Sequence, residues 1–355
     1  MTVRIRADLD TLPGYVAGRT VAGSVKLASN EVSAGPLPSV VRTITEAAGS
    51  VHRYPDTGAA ALVARLSARL DVDQERIAVG CGSVSLCQQL VQATCTDSDE
   101  AVFPWRSFEA YPIIVRVVGA AARRVPLTRD HALDLDALAA AITPATRIVF
   151  VCSPNNPTGT ALRRAELERF LAAVPDDVLI VLDEAYREFV DDEDVPDGIE
   201  LARAHWASGR DNLAVLRTFS KAYGLAGLRV GYCVAAPRVT EAVRKVYVPF
   251  SVNALAQAAA IASLDAEDEL LARCRVIMSE RARVRAALLA AGYAVPETQA
   301  NFVWLPLGER TMEFNEHCLE HRVVVRAFAG DGARVTIGAD EENDMFLAAA
   351  RSFAI

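Results

Sequence analysis

Apolar residues along this chain fall into two rhythms. Runs such as Ile148-Val149-Phe150-Val151, Val178-Leu179-Ile180-Val181-Leu182 and Asn212-Leu213-Ala214-Val215-Leu216 are apolar at nearly every position. That pattern predicts strands covered on both faces, as in a parallel sheet. Shorter strands are expected at Ile77-Ala78-Val79, Ala101-Val102-Phe103, Arg124-Val125-Pro126 and 230–235. Between and around them, helical patterning predicts helices over 40–48, 59–70, 84–94, 165–174 and 237–246, the last opened by Pro237. After Pro249 the order changes. Helices over 254–264 and 269–291 precede strands near 302–305, 323–326 and 334–337, and a helix over 342–351 closes the chain. Strands clustered between helices predict a small α+β domain there. Residues 1–29 lack periodicity and carry Pro13, Gly14, Gly18 and Gly23. The expected division is therefore an arm over 1–29, a large α/β domain over 30–248 and a small domain over 249–355.

Composition narrows the function classes. The chain has 355 residues, 52% of them hydrophobic, which is enough for a large core and excludes a disordered chain. A net charge of −8 without a Lys/Arg cluster argues against nucleic acid and anionic membranes as partners. Neither a secretory signal nor a membrane-spanning run is visible, so the cytoplasm is the expected compartment. The 7 cysteines are odd in number and form no C-x-x-C pair, which favours reduced thiols over a disulfide or zinc framework. No His shows metal-ligand spacing, and no metal is expected.

Candidate chemistry centres on Thr218-Phe219-Ser220-Lys221, followed by Arg229. The strand before it puts Lys221 in a turn at a strand end, where open α/β sheets bind ligands. An ammonium desolvated there loses basicity and becomes nucleophilic. Two hydroxyls and a guanidinium around it suit a phosphate. A nucleophilic amine beside a phosphate pocket points to pyridoxal phosphate. Gly80-Cys81-Gly82-Ser83 opens a predicted helix and could present N–H groups to an anion, although a plain tight turn reads the same way. Asp183 ends a strongly apolar strand; it could pair with a protonated ring nitrogen or merely cap the next helix. Tyr186 could reach a ring hydroxyl. The rigid loop Cys152-Ser153-Pro154-Asn155-Asn156-Pro157-Thr158-Gly159 could present a side-chain amide to the same oxygen. Phe108 is a candidate ring-stacking residue or a core aromatic, and Arg334 a carboxylate fork or a surface ion pair.

Taken together, these segments resemble the fold-type-I pyridoxal-phosphate aminotransferases, and most closely the histidinol-phosphate aminotransferase subfamily. Three pieces carry the resemblance: C-S-P-N-N-P-T-G from Cys152, D-E-A-Y from Asp183, and T-x-S-K…L-A-G-L-R from Thr218 to Arg229. The resemblance implies an α/β/α sandwich around a mostly parallel sheet, plus the smaller C-terminal domain. It implies that Lys221 bonds the cofactor covalently and shuttles the proton, and that Asp183 holds the pyridine nitrogen. Asn156 and Tyr186 would bind the ring oxygen, and Phe108 would stack. Ser83, Val84, Thr218, Ser220 and Arg229 would surround the phosphate. Tyr54 would reach that phosphate from the other subunit of a homodimer. Arg334 would take the substrate carboxylate and Asn30 would lie near the substrate. Tyr15 and Arg326 would line the distal pocket. Leu27-Ala28-Ser29-Asn30-Glu31, Ser83-Val84-Ser85 and Trp105-Arg106-Ser107-Phe108 depart from the histidinol-phosphate pattern. In these departures the chain is similar to the actinobacterial aromatic-amino-acid (phenylalanine) branch. The implied activity is ping-pong transamination between an aromatic amino acid and a 2-oxo acid. Histidinol phosphate is the alternative substrate, and a lyase or decarboxylase on the same fold is a remoter one.

Overall fold

Along the central strands, side chains alternate between two separate cores. Val149, Val151, Ile180, Leu182, Leu213 and Val215 enter one, while Ile148, Phe150, Leu179, Val181, Ala214 and Leu216 enter the other. This is why those runs read as continuously apolar: each face of the sheet needs its own apolar set. The computed structural model describes residues 3–12, 14 and 18–354.

Among the described residues the strands are β1 (Val25–Lys26), β2 (Ile77–Gly80), β3 (Glu100–Trp105), β4 (Ala121–Pro126), β5 (Thr146–Cys152) and β6 (Leu179–Asp183). They continue as β7 (Leu213–Thr218), β8 (Gly231–Val234), β9 (Phe302–Leu305), β10 (Val323–Val324), β11 (Arg326–Phe328) and β12 (Gly332–Thr336). The main sheet has seven strands in the order β2-β8-β7-β6-β5-β3-β4. All neighbours are parallel except β8, which runs antiparallel to both β2 and β7. Helices cover both faces, so the fold is the expected α/β class with a mostly parallel sheet. The helices over Ala110–Val118 and Gly198–Ala207 have no counterpart among the expected elements.

The C-terminal part differs from expectation in its elements: the helix Thr311–Glu320 has no expected counterpart, and one strand divides. The single strand expected over 323–326 is two: β10 pairs with β1, whereas β11 joins β12 and β9 in a three-stranded antiparallel sheet. Packing is continuous across position 248/249. Ala256, Ala259, Ala260 and Leu264 of the helix Ala254–Asp265 lie in a core of the main sheet. The following helix, Glu267–Ala290, bridges two cores. Its Leu270 and Cys274 pack with the main sheet, and its Val284 and Leu288 pack with β9, β12 and the closing helix Asp340–Ser352. Leu27 joins that second core, so the end of the arm is structurally part of the C-terminal half. Among the described residues, no helix is long and apolar enough to cross a membrane.

Beneath the C-terminal ends of β6 and β7 lies a buried ionic cluster. Arg217, on β7, donates through Nε and an Nη to Glu184 Oε2 at 3.0 and 2.8 Å, and to Asp197 Oδ2 at 2.8 Å. Glu184 also accepts the Gly198 N–H at 2.8 Å. Burial works against ionisation of Asp197, but Arg217 prevails and holds its carboxyl down at about 2. Removing one partner of a buried pair strands the other charge. Arg217→Met is therefore expected to lower stability by about 3–5 kcal/mol in urea unfolding. A loss below about 1 kcal/mol would contradict this view of the cluster.

Candidate active site

Three parallel strands end side by side at one edge of the sheet, and each delivers a polar residue there. Cys152 ends β5, Asp183 ends β6 and Thr218 ends β7, with Cys152 opposite Asp183 in register. The turns after these strands bring Asn156, Tyr186, Ser220 and Lys221 into the same cleft. Open α/β sheets place their ligands at this edge.

Lys221 is the amine of the cleft. Its Nζ donates to the Ser29 carbonyl at 3.1 Å and lies 5.9 Å from the Tyr186 ring centre. Burial, and then the nearby guanidinium of Arg334, pull its pKa down to about 7. Asp183 is 3% exposed, and burial raises its carboxyl while a bond from the Tyr111 hydroxyl opposes the rise. Burial likewise raises the phenol of Tyr186 and keeps it a hydroxyl, against the Arg334 charge and the bond its oxygen accepts from Asn30 Nδ2 at 2.8 Å.

The loop after β5 divides its two asparagines. Asn155 is structural: it accepts from Ser107 Oγ at 2.7 Å and donates to Thr158 Oγ1 at 2.9 Å. Asn156 faces the cleft, where Arg334 donates to its Oδ1. Arg334, on β12, also donates to the Ala28 carbonyl at 2.7 Å. Asn30 is tied to the same strand through Thr336, with Oγ1–Oδ1 at 3.1 Å. One wall of the cleft is thus built from the chain's first strand region and its last.

An anion cradle occupies the opposite end. Ser83 begins the helix Ser83–Thr94, whose free N–H groups and dipole favour negative charge. Arg229 Nη1 donates to Ser220 Oγ at 3.3 Å, and Thr218 Oγ1 lies 3.0 Å from Ser220 Oγ. Gly82 makes this closeness feasible: it has φ +79°, and a Cβ there would stand 2.5 Å from the Arg229 guanidinium. Arg229 itself holds a left-handed φ of 61°, a conformation uncommon for a side chain of this kind.

Most of the expected site residues meet here: Asn30, Ser83, Val84, Phe108, Asn156, Asp183, Tyr186, Thr218, Ser220, Lys221, Arg229, Arg326 and Arg334 all line the cleft. Tyr54 does not. It is 83% exposed and stacks on Phe250 at 4.7 Å, outside the cleft of its own chain. Tyr15 lies outside the described residues. Two residues escaped the sequence reading. Glu109 accepts from Arg326 Nη2 at 2.8 Å at the cleft's distal end, and Tyr111 reaches Asp183 from beneath. Their adjacency to Phe108 was the available signal, but only the fold shows which way each side points.

The aminotransferase class I and II family model matches residues 22–349. The chain belongs to this family. An aromatic amino acid aminotransferase of Rhodococcus jostii is 60% identical over 352 residues, covering 99% of this chain and 96% of that protein. An enzyme of the same name from Mycobacteroides abscessus is 57% identical, covering 99% and 100%. Among solved structures, histidinol-phosphate aminotransferase from Sinorhizobium meliloti, in complex with pyridoxal 5′-phosphate, superposes with a TM-score of 0.89 at 28% identity, covering 100% of this chain and 99% of that one.

The residues of this aminotransferase fit pyridoxal phosphate. The buried amine can hold an aldehyde covalently, the buried acid can face a ring nitrogen, and the cradle at Ser83, Ser220 and Arg229 can take a phosphate. The lowered pKa of Lys221 has a measurable consequence. Below pH 7 the apoenzyme's amine is mostly protonated and unreactive; above pH 7 it is mostly free. Capture of pyridoxal phosphate by Lys221, trapped with borohydride and quantified on its peptide, is expected to rise through about pH 7 and level off above it. A rise centred near the ordinary lysine value would contradict the desolvated setting.

Proposed function

We propose that this aminotransferase exchanges the amino group between an aromatic amino acid and a 2-oxo acid such as 2-oxoglutarate, in two half-reactions. The observation that carries the aromatic reading is the ion pair at the cleft's distal end. Arg326 is the cation that could take a substrate phosphate, but Glu109 already holds it at 2.8 Å, and the pair is largely shielded from solvent. A dianion placed there would meet Glu109 as well as Arg326. The full-length similarity to proteins named aromatic amino acid aminotransferases supports the same choice.

The cofactor, when bound, supplies an electron sink that acidifies the substrate's Cα–H bond. The chain's own groups do the rest. Ser83, Val84, Thr218, Ser220 and Arg229 hold the phosphate; hydrogen bonds to such a charged group are worth roughly 1.5–3 kcal/mol each. Asp183 faces the ring nitrogen and keeps its proton in place. Asn156 and Tyr186 bind the ring oxygen, and Phe108 covers the ring. Arg334 receives the substrate α-carboxylate as a fork, with Asn30 beside it. Lys221 would hold the cofactor covalently, and as a free amine it would take the proton from the substrate Cα. The distal pocket of an aromatic-specific enzyme needs an apolar wall, a role the sequence resemblance gives to Tyr15, outside the described residues.

The working unit is read as a cytoplasmic homodimer in which Tyr54 reaches the partner's phosphate cradle. Tyr54 and Phe250 stack while both remain exposed, at 83% and 42%, and Val248 stands exposed close by in sequence. Such a patch asks for a cover. All seven cysteines are free thiols, in keeping with a reducing compartment. A solution mass of a single chain would overturn the shared-site reading. Domain organisation is read as a large cofactor domain and a small C-terminal one, joined along the helix Glu267–Ala290, with the end of the arm in the small domain.

A second reading, histidinol phosphate as donor, rests on Arg326 alone. Side-by-side kinetics decide between them: kcat/KM is expected to be larger for phenylalanine than for histidinol phosphate, and the reverse order would overturn the aromatic reading. Glu109→Gln is expected to raise kcat/KM for histidinol phosphate by about tenfold, the worth of one charge-assisted bond released to the substrate. Lys221→Ala is expected to retain the cofactor non-covalently and to lose turnover by at least about 10²–10⁴-fold.

A further inference from the structure

Behind the Asp183 carboxylate stands a buried tyrosine. Tyr111 lies in the first turn of the helix Ala110–Val118, and its hydroxyl donates to Asp183 Oδ2 at 2.7 Å. Tyr111 is 0% and Asp183 3% exposed, so water cannot replace the bond. The ring is fixed by its neighbours. It stacks on Phe150 at 4.6 Å and 18°, leans on Phe103 at 6.0 Å, and meets Phe108 edge-on at 5.5 Å and 88°. Phe150 and Phe103 belong to β5 and β3, so the main sheet itself sets where the hydroxyl points. Burial and the Asp183 charge both push the phenol's pKa up, which keeps its proton on and makes it a donor. Among the described residues, the Asp183 carboxylate also accepts a longer hydrogen bond, from the Ala185 N–H to Oδ1 at 3.3 Å. Both donors come from the protein side, and the rest of the carboxylate is what the cleft sees.

We propose that Tyr111 is a positioning residue for transamination, anchoring Asp183 Oδ2 and thereby fixing the direction and the charge of the acid that meets the cofactor's ring nitrogen. This rests on the reading that Asp183 faces that nitrogen. A donor bonded to a carboxylate favours its ionised form. Without the hydroxyl, a buried carboxylate is one partner short and drifts toward its neutral form, which holds the nitrogen's proton less well. Tyr111 also braces Phe108, so one side chain steadies both the covering ring and the acid.

Tyr111→Phe removes the hydroxyl and keeps the ring. The test is the affinity of the apoenzyme for pyridoxal phosphate beside its affinity for the 1-deaza analogue, in which a carbon replaces the ring nitrogen. Tyr111→Phe is expected to weaken pyridoxal phosphate binding by about tenfold or more and to change binding of the analogue by less than about twofold. Equal losses for both would make Tyr111 a packing residue only, and no loss for either would leave the bond without consequence; both outcomes overturn the proposal. Asp183→Ala separates the proposal from the reading beneath it. If Asp183→Ala does not discriminate between the two cofactors, the assignment of Asp183 fails. If it discriminates and Tyr111→Phe does not, only the role of Tyr111 fails.

Discussion

An acid kept in a dry place is the constraint from which the rest of this structure follows. Asp183 sits at the end of a fully buried strand, where a carboxylate left to itself would take up a proton. Its usefulness depends on staying charged and aimed. The next residue, Glu184, is just as buried, but it turns to the opposite side and is taken up by Arg217 and the Gly198 N–H. Two adjacent carboxylates thus avoid each other by facing different layers of the sandwich, one towards the cleft and one towards structure. The alternation of a β-strand makes that separation automatic.

A second constraint is that the cleft wall around Arg334 spans distant parts of the chain. Arg334 on β12 joins Ala28 and Asn156, while Asn30 joins Thr336 and Tyr186. Residues near 28, 156, 186 and 335 therefore form one hydrogen-bonded surface. It is steadied by the parallel pairing of β1 with β10 and by Leu27 in the C-terminal core. Arg106 adds a further tie, bonding Asp331 at the turn between β11 and β12. Small shifts between the main sheet and the C-terminal strands would be felt directly at Arg334, the residue proposed to take a substrate carboxylate.

Much of this was legible from residues alone, for identifiable reasons. The strands ending at Cys152, Asp183 and Thr218 were visible because burial on both faces demands unbroken apolar runs. Lys221, Asp183 and Asn156 stood out because each follows such a run at once, so their place in the fold is a local matter. Asn155 and Asn156 could not be told apart by spacing; what separates them is Ser107 and Thr158 claiming one and Arg334 the other. The helix Gly198–Ala207 was missed because its apolar pattern is diluted by Arg203 and His205. The strand over 323–326 was read as one because β-propensity carries no sign of a change of partner sheet. The pairings of Glu109 with Arg326 and of Tyr111 with Asp183 depend on contacts across 217 and 72 residues, beyond the reach of any local pattern.

Charge in the cleft runs opposite to charge on the molecule. The chain carries a net −8, yet the cleft is lined by Lys221, Arg229, Arg326 and Arg334 against only Asp183 and Glu109. A cofactor phosphate and a substrate carboxylate are both anions, and a local positive field in a low-dielectric recess draws them in while the outer surface does not. Within that field the cations are not equivalent. Arg229 is turned to the cradle by Ser220 and the Ala226 carbonyl, and Arg334 donates to the Ala28 carbonyl and to Asn156 Oδ1. Arg326 faces a carboxylate of its own chain, Glu109, at 2.8 Å. An Arg326 already neutralised by Glu109 leaves that end of the cleft better suited to an uncharged side chain than to a second phosphate, and this is the physical basis for expecting an aromatic amino acid there.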